Sequence, residues 1–381
     1  MWNAKDAHSK AYNDPKKGLV SPEGQAIAKK MGLGDSTKAE RCLTCHALSG
    51  YNSAAGSRVF LKAADINPAT KYSVEDGNSC DACHGPADKY LGKHTEKGWT
   101  AKMRADLGSQ KLYDEWGLYD TKNLKFRANQ CLSCHLKIEA DMIAGGHPEL
   151  SAAFELDSMT NQDLGQDWVH WRKGPAWSAT KVWAMGQVIS LREAAGQLDV
   201  RTTAKADPAQ LKDCYKLIIA HALPSRQIAT VFDAPSKDAI DAQLKAINDG
   251  WADGAKVSAA CKELAKDAEA LADKFNTLAL DQAQTEALLK GVAAEGEQAG
   301  NAGFMPANKF CQCLMSLWGS MTVNAKPADA EAKQNKINDL FTPLGDPGTY
   351  KAPDFAKAAK DIGTVTFPGG TSIPLPPGGP Q

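Results

Sequence analysis

The sequence predicts an all-α protein in which a loop-rich N-terminal domain precedes an antiparallel helical bundle, and three observations predict it. From about residue 176 the chain strings together segments with apolar residues at three- and four-residue spacing: "SATKVWAMGQVISLREAAGQL", "PAQLKDCYKLIIAHAL", "SKDAIDAQLKAIND", "GAKVSAACKELAKDAEALADKF" and "TEALLKGVAAEGEQ". Such helices joined by short loops imply a bundle. Before that point, short helical stretches alternate with turn-rich loops such as "NPATKYSVEDGNS". Finally, one Cys-x-x-Cys-His pattern occurs three times in the first half and never in the second. The expected division is residues 1–175, 176–350 and a Pro/Gly-rich tail, 351–381.

The elements follow in order. "SPEGQAIAKKMG" supplies a helix with Ser21 as N-cap, Pro22 at its first position and Gly32 as its stop. The repeated motifs then stand at Cys42-Leu43-Thr44-Cys45-His46, Cys80-Asp81-Ala82-Cys83-His84 and Cys131-Leu132-Ser133-Cys134-His135. The bundle opens at "SATKVW" with Ser178 as N-cap, and "KFCQCLMSLWGSM" is a further helix. The closing "FPGGTSIPLPPGGPQ" cannot form a helix or a central strand and is expected to be disordered.

Composition excludes several classes. At 381 residues the chain is long enough for two or more domains, and its net charge is -1. Without a long Lys/Arg run there is no footprint for nucleic acid. No stretch approaches the roughly 18 consecutive apolar residues of a membrane span. The first seventeen residues, "MWNAKDAHSKAYNDPKK", lack the apolar region of a secretory signal.

Cys-x-x-Cys has three common readings: half a zinc site, a redox pair or, with His directly following, a c-type haem attachment site. With 8 His in 381 residues, three coincidental histidines have a probability on the order of 10⁻⁵. The spacing has a physical reason. Two thiols on one short turn each form a thioether with a haem vinyl group, and the adjacent His binds the iron from the porphyrin face. Zinc knuckles fit less well, because three Cys-Cys-His clusters do not divide into sets of four ligands. Three covalently bound haem c groups are therefore expected, with Cys42, Cys45, Cys80, Cys83, Cys131 and Cys134 as thioether donors and His46, His84 and His135 as proximal ligands. Residues 1–175 then read as a trihaem cytochrome c domain, in which porphyrins supply much of the apolar core. Haem is attached in this way outside the cytoplasm, so a periplasmic or extracellular location is expected, with the numbering describing a mature or truncated chain.

Five histidines remain as distal candidates: His8, His94, His147, His170 and His221. Filled axial positions suit an electron carrier and an open one allows substrate chemistry. At this point the residues resemble a family. "MWNAKDAHSKAY" looks like the Trp-x(5)-His helix of the tetrahaem cytochrome c-554 family and its multihaem relatives. "SCDACHGPADKYLGKH" resembles their Cys-x-x-Cys-His-Gly-Pro segment with its trailing His, and "NQCLSCHLKIEADMIAGGHPEL" resembles a last haem site in such proteins. The likeness covers roughly residues 1–172 and is specific at the motifs.

The resemblance implies that His8 reaches the haem of His84. It leads to His147 for the haem of His135, with His170 in "DWVHWRKGP" as competitor. The family's first haem motif would lie upstream of Trp2 and is missing, and in the family the counterpart of His94 serves that haem. His94 is therefore left among three readings: ligand to the His46 haem, free histidine, or ligand to a haem lost by truncation. The resemblance also implies that the His46 haem is the one with an open position. "DCYKLIIAHALPSRQ" resembles a place where relatives carry another haem motif, but Cys214 is single here, and a helix with a buried cysteine is the ordinary reading.

Outside the motifs, Cys214, Cys261, Cys311 and Cys313 could form up to two disulfides or stay as buried thiols. Trp168, Trp171, Trp177 and Trp183 are expected to pack the bundle onto the haem domain. Residues 1–150 carry 21 Lys/Arg against 18 Asp/Glu, and the remainder 23 against 27. Propionates make the haem half mildly acidic, so no strong docking field is predicted.

The expected function is that of a trihaem c-type cytochrome passing single electrons between redox partners through closely packed, mostly bis-His haems. The bundle would be a platform for a partner or for homo-oligomerisation. Bis-His ligation places the irons at lower potential than His/Met ligation. Two alternatives stay open. One is a haem enzyme acting on a small nitrogen compound such as nitric oxide or hydroxylamine at a five-coordinate His46 haem, with Asp65, Glu75 and Asp76 as nearby charges. The other is a subunit of a larger electron-transfer complex.

Overall fold

A computed structural model of the chain describes residues 6–47, 49–52, 57–60, 73–85, 87–149, 154–162 and 174–380, with only the backbone at 49–52, 57–60 and 161–162. Among the described residues the fold is all-α apart from one small hairpin, β1 (Ser49–Asn52) with β2 (Ser57–Phe60), paired antiparallel with Ser49 opposite Phe60 and Asn52 opposite Ser57. The described residues divide into two compact units. The first holds those up to Cys134, Asp141–Pro148 and 161–162; the second holds His135–Ala140, Glu149 with 154–160, and those from 174 onward.

In the first unit, a 3-10 turn at Ala7–Lys10 leads to α1 (Pro22–Lys30). Ser21 caps α1 by accepting the Gly24 N–H at 3.0 Å, Pro22 stands in its first turn and Gly32, at φ +70°, ends it, as the sequence predicts. There follow α2 (Glu40–His46), α3 (Cys80–His84), α4 (Ala101–Leu107), α5 (Ser109–Trp116), α6 (Leu124–His135) and α7 (Ala140–Gly145). Among its described residues, Tyr12, Leu19, Leu43 and Ala47 form one small apolar cluster, and Tyr119 and Phe126 with Tyr113 form another.

The second unit contains α8 (Leu156–Gln162), α9 (Ser178–Thr203), α10 (Pro208–Phe232), α11 (Ala234–Asp249), α12 (Gly254–Asn276), α13 (Gln282–Ala294), α14 (Gly296–Ala302), α15 (Phe304–Asn324), α16 (Ala330–Asp339), α17 (Phe341–Leu344) and α18 (Ala352–Asp361). α9 packs against α10 and α12, α11 against α12, and α13 and α14 against α15. Trp183, Val188, Leu191, Ile218, Leu264, Phe275, Leu314 and Leu317 are fully buried between them. This is the wide apolar stripe that the spacing predicts.

Four details differ from expectation. α9 starts one residue early, because Trp177 at φ +65° turns the chain and Ser178 is already helical. α10 runs through Pro224 instead of stopping before it; Pro224 lies in the fully packed middle of the bundle, where burial outweighs the lost backbone hydrogen bond. The expected helix "TEALLKGVAAEGEQ" breaks at Glu295 between α13 and α14. Finally, the tail is ordered. Thr371 to Pro376 lie along the bundle, with the Arg226 guanidinium donating to the Ile373 and Pro374 carbonyls at 3.0 and 2.8 Å. The Leu375 N–H donates to Gln298 Oε1 at 2.7 Å and Asn248 Nδ2 to the Pro376 carbonyl at 2.9 Å. A chain without helical hydrogen bonds of its own is held by side chains of α10, α11 and α14.

Candidate haem-binding site

Each motif folds as a short stretch of helix, which is what brings its two thiols and its imidazole onto one turn. Cys42 to His46 form the end of α2, Cys80 to His84 are the whole of α3, and Cys131 to His135 end α6. The sulfurs of Cys42, Cys45, Cys83, Cys131 and Cys134 are partly buried, and Cys80 is exposed. Partial burial pushes the Cys42 thiol up from its ordinary value, against the Arg41 charge; burial and then Asp81 do the same at Cys80. These are accessible thiols on a rigid turn, a donor set that fits two thioether bonds and an axial imidazole.

Within the first unit the motifs are stitched together. Asn78 Nδ2, just before α3, donates to the Cys45 carbonyl at 2.6 Å. Gln130 Nε2 on α6 donates to the Ala82 carbonyl inside α3 at 2.9 Å. The His84 carbonyl accepts the Tyr119 N–H at 2.9 Å. The segment leaving α3 is tight: Gly85 sits at φ +82°, and a Cβ there would lie 2.0 Å from the Gly117 carbonyl oxygen. Nothing in the sequence patterning marks Asn78 or Gln130.

His46 is oriented by the backbone, its Nδ1 lying 2.8 Å from the Ala11 carbonyl oxygen. A carbonyl can only accept, so Nδ1 carries the hydrogen and Nε2 presents its lone pair, the arrangement of a metal-bound imidazole. Burial, set against that hydrogen bond, lowers the His46 pKa from its ordinary value and favours the neutral form. The His147 ring stands next to it, the centroids 6.4 Å apart and the planes at 79°. His147 Nδ1 is likewise tied to a carbonyl, that of Pro148, at 2.9 Å. The sequence reading sent His147 to the haem of His135; the fold sets it beside His46.

α7 carries this second histidine into place. Gly145 lets it approach Met31 at the end of α1, where a Cβ would lie 2.8 Å from Met31 Cγ. Arg41 and Asp141 form a fork-to-fork pair between α2 and α7, with Nη2 donating to Oδ1 at 2.6 Å and Nη1 to Oδ2. Arg41 directly precedes the first motif and Asp141 stands in the first turn of α7, six residues before His147, so the pair ties the helix that leads to His147 to the helix that carries His46.

The other candidates are placed differently. His8 keeps its Nδ1 2.9 Å from Asp6 Oδ1, and its carbonyl accepts the Asn78 N–H at 3.2 Å, two residues before Cys80. His94 lies exposed in the turn Lys93–Thr95. His170, with Trp168 and Trp171, is outside the described residues, as is Asp65. His135 stacks on Phe154, centroids 4.5 Å apart and planes at 23°. Near the first motif, Glu75 and Asp76 serve the loop: the Glu75 carbonyl accepts from Asn13 Nδ2, and Asp76 closes a capping box with Ser73.

In the bundle Cys214, Cys261, Cys311 and Cys313 are free, buried thiols. Burial pushes Cys214 and Cys311 up to about 12, which leaves them protonated and unreactive. His221 is fully buried, with Nδ1 2.9 Å from Gln187 Oε1. Gln187 passes the polarity on, donating to Glu155 at 2.7 Å. Glu155 in turn pairs with the buried Lys309 at 2.8 Å. Trp183 is a core residue.

Motifs folded as helical turns with an oriented imidazole fit the haem sites of a c-type cytochrome, a class whose covalently bound haem c exchanges electrons with redox partners. The comparison with known families agrees: residues 1–85 match the model described as cytochrome c554 and c-prime, and this part of the chain is cytochrome c554-like. No curated protein and no solved structure matches the chain. Among the described residues no helix is long and apolar enough to cross a membrane.

Proposed function

We propose that the chain is a periplasmic or extracellular trihaem cytochrome that relays single electrons among closely packed haems held at His46, His84 and His135. The observation that supports it best is the stitching of the motifs, because side chains beside one motif bond the backbone of the next at Cys45 and Ala82. Thioether positions that share hydrogen bonds hold their porphyrins near one another, which short-range electron transfer needs. His8 is the distal ligand for the second haem in this reading: its ring is oriented by Asp6 and its backbone bonds the loop that opens α3. When bound, haem supplies a one-electron couple. The protein's part is to fix the imidazoles, tune them through their Nδ1 partners and exclude water.

An enzyme at the first haem would need an acid/base group there; the Asp76 carboxylate is engaged in its capping box with Ser73, while Glu75 is tied to the turn through its main chain. The test is a haem count by pyridine haemochrome together with peptide mass mapping of the purified protein. Three haems, one on each Cys pair, are expected. A zinc-loaded protein without haem, or a Cys pair that never carries it, overturns the reading.

A further inference from the structure

We propose that His147 is the sixth ligand of the haem bound at Cys42 and Cys45, with its plane nearly perpendicular to that of His46, so that this iron is closed to substrates. The inference rests on the haem reading of the first motif and goes beyond it. It pairs two residues that neither the motif spacing nor the family resemblance pairs.

Geometry carries it. A metal–imidazole bond is about 2 Å long and a ring centroid lies about 1 Å behind its nitrogen, so two imidazoles on opposite sides of one metal ion have centroids about 6 Å apart. His46 and His147 stand at 6.4 Å. Two rings in direct edge contact could show a similar separation, but the hydrogen bonds add a second, independent constraint. Both Nδ1 atoms are tied to main-chain carbonyls, those of Ala11 at 2.8 Å and Pro148 at 2.9 Å. Each ring is thus held in the tautomer whose Nε2 lone pair is available to a metal.

The third support is mechanical. The Arg41–Asp141 fork and the Gly145–Met31 approach lock α7 against α1 and α2, so the separation is set by the fold on both sides. Rings coordinated across one iron can rotate about the common axis, and the 79° between their planes reports that rotation. Near-perpendicular imidazoles leave the ferric d orbitals almost degenerate. The low-spin EPR signal is then strongly anisotropic with a large maximum g, unlike the rhombic signal of parallel planes.

The experiment is low-temperature EPR with near-infrared magnetic circular dichroism on the oxidised, haem-loaded protein and on variants. The wild type is expected to show a large-g low-spin signal. In His147→Ala that signal is lost and one haem becomes high-spin, with imidazole in the buffer restoring low spin. His147→Met, which keeps a donor if alanine does not fold, replaces the bis-imidazole charge-transfer band of one haem with a methionine–iron band.

In a Cys42→Ser/Cys45→Ser protein, His147→Ala should cause no further change. If it makes another haem high-spin, His147 serves that haem and the proposal fails. An unchanged spectrum in His147→Ala, or a rhombic signal at this haem, overturns it as well. Mass mapping keeps the two readings separate: absence of haem from Cys42 and Cys45 in the wild type refutes the motif reading, whereas haem present with an unmoved spectrum refutes only the ligand.

Discussion

The two units solve the problem of stability differently. The bundle buries large side chains such as Trp183, Phe275 and Trp318 and even encloses charges, whereas among the described residues of the first unit small apolar clusters form around Tyr12 and Tyr119, and side-chain hydrogen bonds reach main-chain carbonyls of the neighbouring motif helices. A chain that buries little apolar surface cannot offset the conformational entropy of folding. The contrast teaches that a porphyrin would complete the core of the first unit, while the bundle carries its own.

The sharpest way to break this comparison is to make the protein without haem. Far-UV circular dichroism and limited proteolysis should show 6–134 cleaved readily while α9 to α15 remain helical and melt cooperatively. Equal protection of both parts would erase the distinction.

A smaller effect is expected within the bundle. Lys309 is fully buried, pairs with Glu155 at 2.8 Å and donates to the Phe154 carbonyl at 2.9 Å. Removing one partner of a buried pair leaves an uncompensated charge, so Lys309→Met should cost about 3–5 kcal/mol in chemical denaturation. Adding Glu155→Gln should recover part of that loss.

Asp157 sharpens the comparison through pH. Burial, helped by the nearby Glu155 charge, pushes its carboxyl up to about 7. A native state that holds a proton more tightly than the unfolded chain is favoured at low pH. This contribution is complete below about pH 4 and lost by about pH 7, a difference of about 4 kcal/mol at most. Melting of the bundle should therefore fall between these values, and Asp157→Asn should flatten the dependence.

The smallest effect belongs to the first unit's clamp. Asp141 is half exposed, and its pair with Arg41 contributes about 0–1 kcal/mol. Asp141→Asn should leave the melting point nearly unchanged but broaden the low-spin EPR signal of the first haem, because α7 then positions His147 less exactly.

Much of this was legible in the sequence because it is local. The Cys-x-x-Cys-His turns, the Ser21–Pro22 start of α1 and the amphipathic helices depend on residues a few positions apart, where helical geometry alone decides which side chains share a face. Pro224 misled that reading, since a local rule cannot see how fully its surroundings are packed. The ordered tail misled it for the same reason: its partners Arg226, Asn248, Glu295 and Gln298 come from helices remote in sequence.

The sequence by itself determined three Cys-x-x-Cys-His turns suited to covalent haem and which histidines lie directly behind the thiols, because both follow from spacing along the chain. Which histidine stands beside His46 was decided only by the tertiary structure. That choice depends on α7 docking on α1 and α2 through Gly145 and the Arg41–Asp141 pair, contacts whose free energy exists only once the chain has folded.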